Sequence, residues 1–226
     1  MAGLIAAPFQ TDADIDAVIP AAVAHLRGGG LLVYPTETVY GIGGAVTRPA
    51  VEALARLKAR PTSKPFLVLI SDLDMLGALG MRLAGAAAAL AERHWPGPLT
   101  LVLPVLSSDT ASTLAAARGG SANGVAVRWT SHPGMRRLIA TYGEPITSTS
   151  ANRSGVPPPA SVEEIARQWE KATARGVLRV LDGGPLISRS PSTVVDCTGP
   201  VPRVIRRGAV TTDALREAVP DLVCHE

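Results

Sequence analysis

At 226 residues the chain suits one domain spanning 1–226, and with 46% hydrophobic but only 4% aromatic residues its core must be mostly Ala, Leu and Val. A formal net charge of +3 and a pI near 9.2 permit an anionic ligand or RNA without requiring either. Cys197 and Cys224 form no CxxC pair and His25, His94, His132 and His225 show no ligand spacing, which speaks against a protein-held metal or a disulfide scaffold and makes a cytoplasmic location the expectation.

The N-terminus lacks a basic segment followed by an apolar one, so no signal peptide is expected. Thr11–Arg27 reads as a helix, with Thr11 or Asp12 to cap it and Gly28-Gly29-Gly30 to end it. Leu31–Tyr34 is a buried strand, and Pro35, which has no N–H to donate, ends its ladder. Thr36, Glu37, Thr38 and Tyr40 then crowd the strand mouth, and Gly41 and Gly43 would let a small polar ligand approach the backbone. Thr47–Arg60 is a helix stopped by Pro61, Phe66–Ile70 a strand, Ser71 or Asp72 the cap of a short helix, and Met81–Arg93 another helix. Its alanine-rich part, Leu83–Ala91, falls far short of the ~18 apolar residues of a membrane span.

Trp95-Pro96-Gly97-Pro98 is a rigid turn into the strand Leu99–Leu103, and residues 107–124 look like a mobile loop. Val125–Arg128 is a strand, Pro133–Tyr142 a helix, and Ile146–Thr149 a strand that runs into Ser150-Ala151-Asn152. After the Pro/Gly loop Arg153–Ala160, Ser161 and Glu164 suit a capping box for a helix to about Lys171. Val177–Leu181, Thr193–Asp196 and Val204–Arg206 are short strands, and Thr211–Ala218 is a terminal helix. Alternation of strands and helices makes the class α/β, and intervals too short for crossover helices require some antiparallel pairing.

No GxxxxGK[ST] loop, no complete dinucleotide fingerprint and no GxSxG elbow occurs. Lys58, Arg60 and Lys64 place three cations within seven residues at a helix end. A triphosphate, with about four negative charges, requires such point charges and a planar guanidinium. Thr147-Ser148-Thr149-Ser150-Ala151-Asn152 packs hydroxyls and an amide at a strand end, groups that suit ribose, phosphate or an amine. Val125–Arg128 ends a strand in an arginine, a natural partner for a carboxylate. Ser190–Asp196 and Arg203–Gly208 repeat the theme of hydroxyl and arginine at strand ends. Each segment also has a plain structural reading: a basic helix end, a Ser/Thr-rich strand edge with an Asx turn, a surface arginine.

Taken in order, PTETVYGIG, KxRP, WPGPLTLVL, VAVR, STSANRSG, LDGG, PSTVVD and RVIRRGAV resemble the YrdC-like family from about Gly30 to Ala209. The members are the L-threonylcarbamoyladenylate synthases of tRNA modification. The resemblance implies an α/β domain with a twisted mixed parallel/antiparallel sheet and a large basic concave surface. It implies that ATP, L-threonine and bicarbonate become threonylcarbamoyl-AMP and pyrophosphate, with Mg²⁺ carried on ATP and no protein-held metal. Threonylcarbamoyl-transfer proteins would be partners, tRNA would be a further candidate, and no membrane is involved. Carried over by motif, Thr38, Arg128, Ser148 and Ser192 would hold L-threonine. Lys58, Arg60, Lys64, Ser150, Asn152, Pro158 and Arg206 would line the ATP site, with Lys58, Arg60, Ser150 and Asn152 as the catalytic group.

Two positions depart from the pattern: Lys64 stands where many long relatives have asparagine, and Gly124 where many have threonine. The long relatives also continue through a linker into a second domain, which is not expected here. An RNA-binding YrdC-like paralogue without the synthase activity is the alternative, opposed by the scarcity of aromatics for base stacking. The carbamoyltransferases of hydrogenase maturation, a further relative, carry acylphosphatase and zinc-finger regions that this chain lacks.

Overall fold

Local sequence signals set most of the element boundaries. The structure, a computed structural model, describes residues 6–61, 64–106, 124–159, 161–186 and 190–224. The segment read as a loop over 107–124 lies outside the described residues, except for Gly124. The strands are β1 (Ala6–Pro8), β2 (Leu31–Tyr34), β3 (Gly41–Gly43), β4 (Leu67–Ile70), β5 (Leu99–Leu103) and β6 (Val125–Trp129), followed by β7 (Ile146–Ser150), β8 (Leu178–Asp182), β9 (Thr193–Asp196), β10 (Arg203–Arg206) and β11 (Val223–Cys224). The helices are α1 (Asp12–Arg27), α2 (Arg48–Lys58), α3 (Asp74–Ala78), α4 (Gly85–His94), α5 (Pro133–Tyr142), α6 (Val162–Ala174) and α7 (Thr212–Ala218).

Two of the expected caps are in place, whereas α3 has Leu73 at its N-cap without a side-chain cap bond, and Asp72, expected as the cap, accepts from the Met75 N–H. Thr11 and Asp14 form a reciprocal capping box on α1, and the Ser161 hydroxyl accepts from the Glu164 N–H on α6. α2 stops at Ala59, which adopts a left-handed backbone with φ of 49°. That turn throws Lys58 and Arg60 in different directions, with consequences for the site.

The strands form one mixed sheet in the order β1-β8-β2-β3-β7-β4-β6-β5-β9-β10-β11. β2 runs parallel to β8 and antiparallel to β3, and β7 lies antiparallel to both β3 and β4. β4 and β6 are parallel, β5 is antiparallel to β6 and parallel to β9. Three short strands, β1, β3 and β11, were not visible in the sequence. The glycines read as a ligand approach form a strand squeezed between β2 and β7: a Cβ on Gly43 would lie 1.7 Å from the Thr147 carbonyl oxygen, and one on Gly41 2.5 Å from the Tyr34 ring. Gly41 does line the cavity described below, so the correction falls on Gly43. Gly43 answers to the packing of a neighbouring strand.

Side chains alternate between the two faces of a strand. On β2, Leu32 and Tyr34 join a cluster built with Ile15, Ile19 and Leu26 of α1 and Met135, Leu138 and Ile139 of α5. Leu31 and Val33 turn the other way, to Val51 and Leu54 of α2 and Ile165 and Trp169 of α6. Farther along that second face, Val68, Ile70, Leu99, Leu101, Val125, Val127 and Val195 pack with Leu90 of α4 and Leu215 of α7. The first face differs: its helices, α1 and α5, cover β2, β4 and β7 but contribute nothing over β5, β6, β9 and β10. The residues that alternate onto that open part are Thr100, Val102, Ala126, Arg128, Val194, Asp196 and Ile205, and they floor a cavity.

Candidate active site

The cavity measures about 570 Å³, within the range of small-molecule sites. One wall comes from the segment after β2, with Thr36, Thr38 and Val39. Another comes from the end of β7, with Ser148, Thr149 and Ser150. Arg60 and Pro65 enter from beyond α2, Pro158 from the loop after β7, and Pro191, Ser192 and Arg206 from the β9–β10 side. Segments distant in sequence therefore converge as the motif reading expected: Thr38, Arg60, Arg128, Ser148, Ser150, Pro158, Ser192 and Arg206 all line one cavity.

Three expected residues do not line it. Lys58 is 3% exposed and stands behind the wall, where its ammonium donates to the Ser150 carbonyl. Burial, with repulsion from Arg60 second, lowers its pKa to about 8. The Ser150 hydroxyl donates to Asn152 Oδ1, while Asn152 Nδ2 donates to the Arg153 and Val156 carbonyls and so braces the following loop. Lys64 is exposed and outside the cavity lining. Gly124 does line it, with backbone alone.

Three guanidinium groups dominate the electrostatics. Arg128 is 4% exposed and its Nη1 donates to Thr38 Oγ1 at 3.0 Å. Arg206 Nη2 donates to the Ser192 carbonyl at 2.8 Å and to its hydroxyl at 2.9 Å, and Ser192 in turn shares a 2.8 Å hydrogen bond with Thr100. Arg60 Nη2 donates to the Pro65 carbonyl at 2.8 Å and the guanidinium lies 5.0 Å from the centre of the Phe66 ring. Burial pushes the pKa of Arg206 below the ordinary arginine value, and Arg128 and Arg60 push it the same way. Among the described residues one carboxylate, Asp196, lines the cavity, so three cations gather against one anion. Such a site favours a polyanion. Val102, Ala126, Val194 and Ile205 add an apolar strip on which a flat ring can lie.

The Sua5/YciO/YrdC family model, described as "Telomere recombination", matches residues 24–208. The chain belongs to this family. The Bacillus subtilis threonylcarbamoyl-AMP synthase is 34% identical over 205 residues, which cover 90% of this chain and 57% of the relative. Among solved structures, Pyrococcus abyssi Sua5 in complex with L-threonine superposes with a TM-score of 0.84 at 31% identity, covering 99% of this chain and 62% of that one. Escherichia coli YciO superposes with a TM-score of 0.78 at 26% identity, covering 95% of this chain and all of that one. The chain thus spans little more than half the length of the curated relative.

Within this Sua5/YciO/YrdC domain some site residues escaped the sequence reading. Thr100 lines the cavity and Thr130 stands behind Arg128 against Glu37, while Thr36, Glu37 and Asp196 belong to segments the sequence singled out without giving each a role. For Thr100 a signal did exist. In Leu99-Thr100-Leu101-Val102-Leu103 the odd residues pack into the apolar cluster, which assigns Thr100 and Val102 to the opposite face. That no helix among the described residues covers this opposite face at β5 is a tertiary fact.

Proposed function

We propose that this protein is an L-threonylcarbamoyladenylate synthase, forming threonylcarbamoyl-AMP and pyrophosphate from L-threonine, bicarbonate and ATP for the threonylcarbamoyladenosine modification of tRNA. The observation that carries the reading is the convergence of Arg60, Arg128 and Arg206 with Thr38, Ser148 and Ser192 on one face of the sheet. The likeness to the named synthase and to the threonine-bound Sua5 supports it.

The chemistry asks little covalent work of the protein. The threonine amine and bicarbonate give a carbamate and water, and a carbamate oxygen attacks the α-phosphorus of ATP while pyrophosphate leaves. Catalysis then consists of positioning and of neutralising charge where it develops. Arg128, held by Thr38, takes the threonine carboxylate, with Ser148 and Ser192 close by. Arg60 and Arg206 take phosphate oxygens, and the apolar strip with Pro158 takes the base. Lys58 and Asn152 act through Ser150, the first on its carbonyl and the second on its hydroxyl. Mg²⁺ would arrive with the triphosphate, since the cavity lining offers it only the Asp196 carboxylate among the described residues and phosphate oxygens and water are its usual ligands there. It would supply charge neutralisation on the phosphates.

Threonylcarbamoyl-transfer proteins, and tRNA as final acceptor, are the partners this reading implies. It also implies a cytoplasmic location; no helix among the described residues is long and apolar enough to cross a membrane. The test is pyrophosphate release from the purified protein. It is expected only when ATP, threonine and bicarbonate are all present, with valine rejected strongly and serine more modestly, because one methyl is worth roughly 1–3 kcal/mol. Equal turnover of the three amino acids, or none with threonine, would overturn the assignment.

A further inference from the structure

Behind the arginine that faces the cavity lies a carboxylate that packing does not require. Glu37, on the segment between β2 and β3, has a side chain only 16% exposed. Its Oε2 accepts from Thr130 Oγ1 at 2.5 Å, and that hydroxyl also accepts from the His132 backbone N–H at 3.2 Å. Its Oε1 faces Arg128 Nε across 3.9 Å, and both of these buried atoms are without a hydrogen-bond partner. A buried ion pair with its facing atoms unsatisfied adds little stability relative to apolar side chains of the same volume. Something other than fold stability accounts for the arrangement.

The opposite corner of the guanidinium is held too. Arg128 Nη1 donates to Thr38 Oγ1, which shares a 2.9 Å hydrogen bond with Thr36 Oγ1. Thr36 in turn donates to the Val39 carbonyl at 2.7 Å. Arg128 also stands beside a like charge, close enough to Arg206 to help push the pKa of Arg206 down. Without a counter-charge such a guanidinium would be pushed away from its neighbours before any ligand arrived.

We propose that Glu37 is a positioning residue for the amino-acid half of the site. It holds Arg128 at the Nε corner while Thr38 holds Nη1, so that the remaining donors of the fork stand ready for the ligand carboxylate. The inference rests on the reading of Arg128 as the carboxylate clamp. A rotor fixed in advance loses less freedom on binding, so the gain falls on threonine affinity and not on ATP.

The experiment is a double-mutant cycle on the full chain, with initial rates of pyrophosphate release at varied threonine and varied ATP. Glu37→Gln keeps an oxygen for Thr130 and removes the charge; it is expected to raise the threonine KM roughly 10-fold, within the coupling range of neighbouring residues, and to leave the ATP KM unchanged. In an Arg128→Lys background, where no fork remains to orient, Glu37→Gln is expected to add almost nothing. Thr130→Val removes the anchor without touching a charge and is expected to shift the threonine KM in the same direction; it carries the test alone if Glu37→Gln fails to fold. Threonine and ATP KM values rising in proportion, additivity with Arg128→Lys, or an unmoved threonine KM in Thr130→Val would each overturn the proposal. An unmoved threonine KM in Arg128→Lys itself would instead remove the clamp reading, and this proposal with it.

Discussion

Lys58 carries the clearest consequence at the scale of single residues. Its ammonium is buried, with Ser150 as acceptor, and its folded pKa of about 8 lies below the ordinary lysine value. Between pH 8 and roughly 10.4 the unfolded chain therefore binds more protons than the folded one, so this residue makes stability rise with pH across that window. Below about pH 8 the cost of burying the charge is present in full. Lys58→Met is expected to raise the urea midpoint at pH 7, with an advantage that shrinks from pH 8 upward, while pyrophosphate formation falls. A midpoint difference that ignores pH would show that the charge is not what the fold resists. Arg60 and Arg128 are expected to fail differently. Arg60→Ala should raise the ATP KM and Arg128→Lys the threonine KM, each by roughly 10- to 150-fold for one charge-assisted contact. Lysine should substitute poorly at 128 because an ammonium lacks the planar fork. Initial rates against each substrate decide; a threonine KM indifferent to position 128 would leave that arginine a purely structural part.

At the scale of elements, β3 is the most constrained piece. Gly41 and Gly43 let it sit between β2 and β7, and β7 is the strand whose end presents Ser148 and Ser150 to the cavity. Gly43→Ala would drive a methyl into the Thr147 carbonyl, backbone that cannot step aside as a side chain could. The expected loss is roughly 1–3 kcal/mol by chemical denaturation, with a fall in activity as β7 shifts. An unchanged midpoint would show that β3 can move away from β7 at no cost. The helix ends illustrate how much local signals carry. Thr11, Ser161 and Gly143 stand where capping chemistry places them, and α5 has the bounds read from the sequence, Pro133–Tyr142. β3 was missed because Gly-Ile-Gly has neither the alternation nor the β-branched content of a strand; its pairing comes entirely from its neighbours.

At the scale of the whole molecule, the site lies beyond the reach of α1 and α5. Both faces of β2 and β4 are covered, one by α1 and α5 and the other by the remaining helices. Past them, among the described residues, β6, β5, β9 and β10 have helical cover on one face only, and the other face collects Thr100, Arg128, Asp196 and Arg206. The class, nearly every helix, most strands, the motif segments and the family were already determined by the amino-acid sequence, because caps, apolar periodicity and short hydroxyl-and-arginine strings are local properties. Which face of the sheet carries the cavity, that Lys58 stands behind Ser150, that Lys64 stays outside the cavity, and that Glu37 meets Arg128 were decided by tertiary structure alone. Those facts depend on strand order and on contacts between residues about ninety positions apart, and no local pattern encodes them.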